Sequence, residues 1–300
     1  MIYLDSAATT FQKPTAVPVA VQEAFATMSS PGRGGYGAAM RAADTAFLCR
    51  SEAAELFHIE NPERVIFTMN ATHGLNIAIK SLVPHGGRVV ISGYEHNAVT
   101  RPLQALKANI LVADAPLFQQ DAVLNAFEHA ICPGVNAVVC NHVSNVFGFV
   151  QPLAEIAELC RNRGVPLIVD ASQSAGILPL DMESLGAAFI AMPGHKGLYG
   201  PQGTGLLLCG ENISAATLME GGTGSQSLEQ EMPAFLPDRL ESGTHNMPGI
   251  AGLLAGIRFV RSKGETTICD HERKLAVLMA KGLKNISGVQ VFSLPGLKTR

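Results

Sequence analysis

The sequence predicts an α/β protein in which a mainly parallel β-sheet is covered by helices on both faces. Three observations predict it. Between residues 64 and 209, short apolar runs alternate with longer amphipathic stretches, the pattern of strand-helix-strand units. Polar residues gather directly after the apolar runs, where open α/β sheets bind ligands. Finally, 300 residues with 47% hydrophobic and 16% charged side chains are enough for one large domain with a smaller companion.

In chain order, Ala16–Met28 and Ala42–Phe57 read as helices. The runs Arg64–Thr68, Arg88–Ser92, Ile110–Ala113, Ala137–Cys140, Leu167–Asp170, Ala187–Ala191 and Gly205–Cys209 read as strands. Helices are expected between them at Gly74–Leu82, Val99–Ala108, Ala122–His129 and Leu153–Arg163. In the last of these, Leu153, Ile156, Ala157 and Cys160 share one face. After Gly249 the texture turns helical, at Ile250–Ser262 and Ile268–Asn285, which suggests a boundary near residues 250 to 265. The alternating Val289–Phe292 then reads as a strand that needs a partner. Gly32-Arg-Gly-Gly-Tyr-Gly37 fits G-x-G-x-x-G, but it follows a helical pattern rather than a strand, so it reads as a loop and not as a dinucleotide fingerprint.

Composition excludes several classes. With 22 basic and 25 acidic side chains, a formal charge of -3 and no basic run, no nucleic-acid footprint is present. The six cysteines form no CxxC pair and the nine histidines include no HExxH, so neither zinc nor another metal is expected. The cysteines read as buried thiols in a reducing compartment. Met1–Asp5 lacks the basic and long apolar regions of a secretion signal, and no apolar run approaches the roughly twenty residues of a spanning helix. A cytoplasmic protein without membrane contact is expected.

The chemistry-bearing residues follow the strands. Asp170 ends an apolar strand, where a buried carboxylate calls for a cation such as a protonated ring nitrogen, although a helix N-cap is an equal reading. Lys196 stands among glycines and a proline in Gly194–Gly205, surroundings suited to a desolvated lysine whose neutral amine forms a Schiff base. Thr72 opens a helix, so Ala71, Thr72 and His73 offer amides and a hydroxyl to an anion, with Thr72 as a simple N-cap the alternative. His96 suits ring stacking or proton handling, and Asn145 and Gln173 could donate to a phenolate. Taken alone, His96 reads more often as a structural histidine, and Asn145 and Gln173 as turn or capping residues.

Together these groups describe a pyridoxal 5'-phosphate pocket. The segments Tyr3–Thr10, Asn70–His73, Glu95–Ala98, Asp170–Ser174, Gly194–Lys196 with Gly200–Gly203, and Glu241–Asn246 resemble, in order, motifs of the class V aminotransferases, in the cysteine desulfurase and selenocysteine lyase branch. The resemblance runs from residue 2 to about residue 260. It implies the fold type I architecture, with a seven-stranded mostly parallel sheet in a large domain (16–255) and a small domain made of 1–15 and the start of a C-terminal part (256–300). It implies that Lys196 carries the cofactor, that His96 stacks on it and handles protons, and that Asp170 meets the pyridinium. Gln173 would approach the phenolic oxygen and Asn145 would lie near it and the substrate. Ala71, Thr72 and His195 would hold the phosphate, and Thr244 the phosphate of a partner subunit. The implied activity turns L-cysteine into L-alanine, with sulfur passed to an enzyme cysteine as a persulfide, in a homodimer that serves a sulfur-acceptor protein. The same pocket could serve another small amino acid, or persist in a non-catalytic scaffold. Pro193 stands where the family commonly has a phosphate-binding serine. No cysteine here matches the family's nucleophile. That cysteine and the arginine for the substrate carboxylate are expected beyond Arg300, so residues 1–300 alone are expected to release no sulfide.

Overall fold

The computed structural model describes residues 2–32 and 34–292. Its centre is a seven-stranded sheet formed by β1 (Val65–Thr68), β2 (Arg88–Ser92), β3 (Asn109–Ala113), β4 (Ala137–Asn141), β5 (Leu167–Asp170), β6 (Phe189–Pro193) and β7 (Gly205–Cys209), in the order β1-β7-β6-β5-β4-β2-β3. Strands β3, β2, β4, β5 and β6 run parallel, and β7 is antiparallel to both β6 and β1. Because β7 reverses between them, β1 points the same way as β6. The carboxyl ends of six strands therefore share one edge.

Most of these strands are buried along their whole length, which is why they read as continuous apolar runs. Alternate residues feed two cores. Phe67, Val90, Val138, Val169, Ile190 and Leu208 face one side, under α2 (Gly37–Leu56), α6 (Leu153–Arg163) and α8 (Met247–Lys263). Ile66, Val89, Val139, Ile168 and Leu207 face the other, under α3 (Ala71–Leu82) and α4 (Asn97–Ala105). Helix α1 (Ala16–Thr27) packs on α8, α5 (Gln120–Ala130) on β3, and α9 (Glu265–Lys284) follows α8. The division expected at residues 255/256 falls within α8.

Several boundaries differ from the sequence reading. The fifth helical stretch begins two residues early and α2 five residues early, at Gly37, so the glycine-rich run leads from α1 directly into a helix. Strand β6 lies two residues later than expected, because its ladder with β5 begins at Phe189. The strand expected at Val289–Phe292 is absent: these residues form no ladder with any described segment, and alternation alone cannot make a strand without a neighbour. Among the described residues, no helix is long and apolar enough to cross a membrane.

Candidate active site

The register of the sheet assembles a site at the shared edge. Asn141 sits beside Asp170, Asp170 beside Ala191, and Pro193 beside Gly205. The residues that follow these ends line a cleft of about 390 Å³ that contains Thr72, His96, Asn145, Asp170, His195 and Lys196. Glycine at 205 permits the close approach of the α3 start, since a Cβ there would lie 2.7 Å from Thr68 Oγ1 and 2.9 Å from Asn70 Cα.

At the floor, Asp170 is buried. Its Oδ1 accepts the Ser172 N–H at 2.9 Å, so it caps the turn that follows and also lines the cleft. Among the described residues it has no ion-pair partner within 4.0 Å. Burial pushes its pKa up, while the Ser172 hydrogen bonds and the charges of Lys196 and His96 pull it down. Such a carboxylate is satisfied by a cationic N–H brought by a ligand. Lys196 is half-buried; burial lowers its ammonium pKa and Asp170 opposes the shift. Its neutral amine is thereby more accessible to carbonyl chemistry. His96 caps α4, and its Nδ1 accepts the Ala98 N–H at 3.1 Å, so the neutral ring carries its proton on Nε2.

The other end of the cleft suits an anion. Asn70, not Thr72, is the N-cap of α3, and its side chain accepts from His73 N–H at 2.9 Å. The Thr72 hydroxyl is thus spared the capping role. The Ala71 and Thr72 amides, which make no backbone hydrogen bond among the described residues, remain at the positive end of a 12-residue helix. His195 adds a ring whose pKa burial lowers, with the charges of Lys196 and Lys13 acting in the same direction. Pro193 lines the cleft without contributing an N–H or a hydroxyl.

Gln173 and Asn145 both line the cleft, although the Gln173 amide donates to the Ala7 carbonyl at 3.0 Å. Thr244 is exposed and lies outside this chain's cleft. None of the six cysteines lines it either. Cys49, Cys140, Cys160 and Cys209 are buried, and burial raises their thiol pKa, to about 12 for Cys49, Cys160 and Cys209.

Sequence reasoning missed two supports. Asn141 lines the cleft, donates to the Tyr94 carbonyl at 2.7 Å, and its backbone N–H meets Glu95 Oε1 at 2.7 Å. The N-terminal segment wraps the Lys196 loop: Thr10 Oγ1 donates to the Lys196 carbonyl at 2.8 Å and Lys13 Nζ to the His195 carbonyl at 2.7 Å. The early TT-x-x-K pattern was the available signal, but no local rule connects it to residues more than 180 positions away.

Comparison with known proteins places the chain in a family. The family model described as "Aminotransferase class-V" matches residues 2–299. A probable cysteine desulfurase of Methanothermobacter thermautotrophicus is 30% identical over 304 residues, covering 98% of this chain and 75% of that protein. The apo structure of a cysteine desulfurase from Thermococcus onnurineus NA1 superposes with a TM-score of 0.86 at 30% identity, covering 94% of this chain and 73% of that one. A structure of SspA in complex with cysteine gives a TM-score of 0.74 at 25% identity over 86% of this chain and 72% of that one.

Proposed function

Because the chain belongs to the class V aminotransferase family, we propose that it is a pyridoxal phosphate-dependent cysteine desulfurase that converts L-cysteine to L-alanine. The observation that carries the reading is the meeting of Lys196, Asp170, His96 and the α3 N-terminus in one cleft. These residues fit the cofactor. A buried carboxylate without an internal cation suits a pyridinium, free amides at a helix start suit a phosphate, and a partly desolvated lysine suits an aldehyde.

When bound, pyridoxal phosphate supplies an electron sink for a carbanion at the substrate Cα. Lys196 would hold the cofactor through its amine, and its Nζ is the group that would accept the substrate Cα proton. Asp170 keeps the ring nitrogen protonated. His96, whose Nδ1 is committed to the Ala98 N–H, would cover the cofactor ring and hand protons to substrate atoms through Nε2. Ala71, Thr72 and His195 bind the phosphate, while Asn145 and Gln173 orient the phenolic oxygen and substrate. Sulfur transfer breaks the substrate Cβ–S bond and forms an S–S bond to an attacking thiolate. The electron pair left on Cβ takes up a proton and gives alanine. Burial suppresses the nucleophilicity of Cys49, Cys140, Cys160 and Cys209, and Cys132 and Cys269 do not line the cleft, which supports an attacking thiolate other than these six.

The reading includes a homodimer in which Thr244 reaches the partner's phosphate, supported by the exposure of Thr244 and of Met40, Phe47 and Met69. It includes a sulfur-acceptor protein, a cytoplasmic site supported by six unpaired thiols, and a second domain that begins near residue 256. The test is to supply the full-length protein with pyridoxal phosphate, L-cysteine and excess dithiothreitol, which reduces the persulfide and releases its outer sulfur as sulfide, and to measure sulfide and alanine. Equimolar products are expected. Amino transfer to a keto acid with no sulfide would replace this reading by an aminotransferase.

A further inference from the structure

The His195 ring has a neighbour that determines which of its nitrogens carries the proton. Its Nδ1 lies 2.9 Å from Thr9 Oγ1. The same hydroxyl is 3.2 Å from the His195 carbonyl, and a hydroxyl has one proton to give. That carbonyl already receives Lys13 Nζ at 2.7 Å and the Thr10 N–H at 3.2 Å, which fill its two lone pairs. The Thr9 hydroxyl has donor geometry to that carbonyl and also lies at the shorter 2.9 Å from Nδ1; with Lys13 Nζ and the Thr10 N–H already on the carbonyl, donation to Nδ1 is the arrangement that satisfies every group, and an imidazole that accepts at Nδ1 carries its own proton on Nε2.

Resting on the pyridoxal phosphate reading above, we propose that Thr9 and Lys13 are positioning residues for the cofactor phosphate, with Lys13 occupying the His195 carbonyl so that Thr9 holds the ring as the Nε2–H tautomer. Nδ1 is turned to Thr9, so Nε2 is the nitrogen left for the cleft that the ring lines. With the opposite tautomer, Nε2 would present a lone pair to a phosphate oxygen and repel it. The ring has a tautomer to choose because burial and the two lysine charges favour its neutral form. Thr9, Lys13 and His195 are all half-buried.

The experiment compares the affinity of the apoprotein for pyridoxal phosphate with its affinity for pyridoxal, which keeps the aldehyde and ring but lacks the phosphate. Thr9→Val should weaken pyridoxal phosphate by about ten- to a hundredfold, the range for a lost charge-assisted hydrogen bond, and leave pyridoxal within about twofold. Thr9→Ser should restore the preference, and Lys13→Met should reduce it in the same direction by a smaller factor. An unchanged ratio in Thr9→Val overturns the proposal, and an unchanged ratio in Lys13→Met removes Lys13 from it. Nitrogen NMR of the wild-type apoprotein with labelled histidine, assigned by the loss of one signal in folded His195→Gln, reads the tautomer without relying on Thr9→Val or Lys13→Met. A proton on Nε2 supports the inference and a proton on Nδ1 overturns it. None of these outcomes bears on whether Lys196 forms the covalent bond, which both ligands can report.

Discussion

Gly256, in the middle of α8, is pressed against the loop that follows the site lysine. A Cβ at this position would lie 2.2 Å from the Leu198 carbonyl oxygen, 3.0 Å from Gly200 N and 3.0 Å from Tyr199 C. All three are backbone atoms, so no rotamer change relieves the contact. Overpacking a tight site costs about 1–3 kcal/mol, and rigid backbone puts Gly256→Ala at the upper end. Alanine recovers about 1 kcal/mol of helix propensity, which leaves a net loss of about 2 kcal/mol, roughly 30-fold in the folding constant. Gly282 in α9 is the control, because nothing lies within 4 Å of a Cβ there. Gly282→Ala should gain up to about 1 kcal/mol from the same propensity. The displaced loop is tied to the site by Tyr199 N to the Lys196 carbonyl at 2.9 Å and Gly200 N to the Gly194 carbonyl at 2.7 Å, so Gly256→Ala should also weaken cofactor retention. Urea unfolding of both variants, with unchanged m-values, provides the assay. Equal stability of Gly256→Ala and wild type, or equal losses in the two variants, would refute the reasoning.

Asp170→Asn should lower turnover by about a hundredfold, the range for losing one preorganised electrostatic contact, while changing cofactor affinity far less; steady-state kinetics within a few-fold of wild type would remove its role. Arg50→Met should cost about 3 kcal/mol in urea unfolding, because it leaves Glu241, a buried carboxylate, with only the Phe67 N–H at 2.6 Å and the His245 ring at 3.3 Å. Arg50→Met with Glu241→Leu should recover much of that loss, and no recovery would contradict the buried-pair account. Burial pushes Glu95 up to about 8, against hydrogen bonds from Ser92 and Asn141, and leaves its Oε2 without a partner. The folded protein then holds a proton that the unfolded chain has lost above its ordinary value of 4.5, so stability falls as pH rises from about 4.5 to about 8. Glu95→Gln should flatten that slope in unfolding measurements across the range, and an unaltered slope would reject the shift.

What the sequence showed and what it hid follow from the range of the interactions. The strands were legible because sheet burial leaves continuous apolar runs, and the site because polar residues collect at their carboxyl ends. The reversed direction of β7 was not legible, since Gly205–Cys209 is equally apolar read either way. The α2 start at Gly37 was hidden because Tyr36 offers no side-chain cap and Gly-Ala-Ala carries no periodic signal. His96 showed its position at a strand end but not that its Nδ1 is committed to capping α4. The Thr9, Thr10 and Lys13 contacts with residues 195 and 196 depend wholly on the fold and have no local pattern. Val289–Phe292 erred in the opposite direction, as alternation promised a strand for which no described neighbour exists.

The central claim is that Lys196, half-buried above the Asp170 carboxylate, is the residue that bonds to pyridoxal phosphate. The most direct measurement is borohydride reduction of the protein loaded with the cofactor, followed by digestion and mass spectrometry of the labelled peptide. The account predicts one phosphopyridoxyl group, on Lys196, and no reducible yellow chromophore in Lys196→Ala. A label on any other lysine, or an undiminished chromophore in that variant, would contradict it.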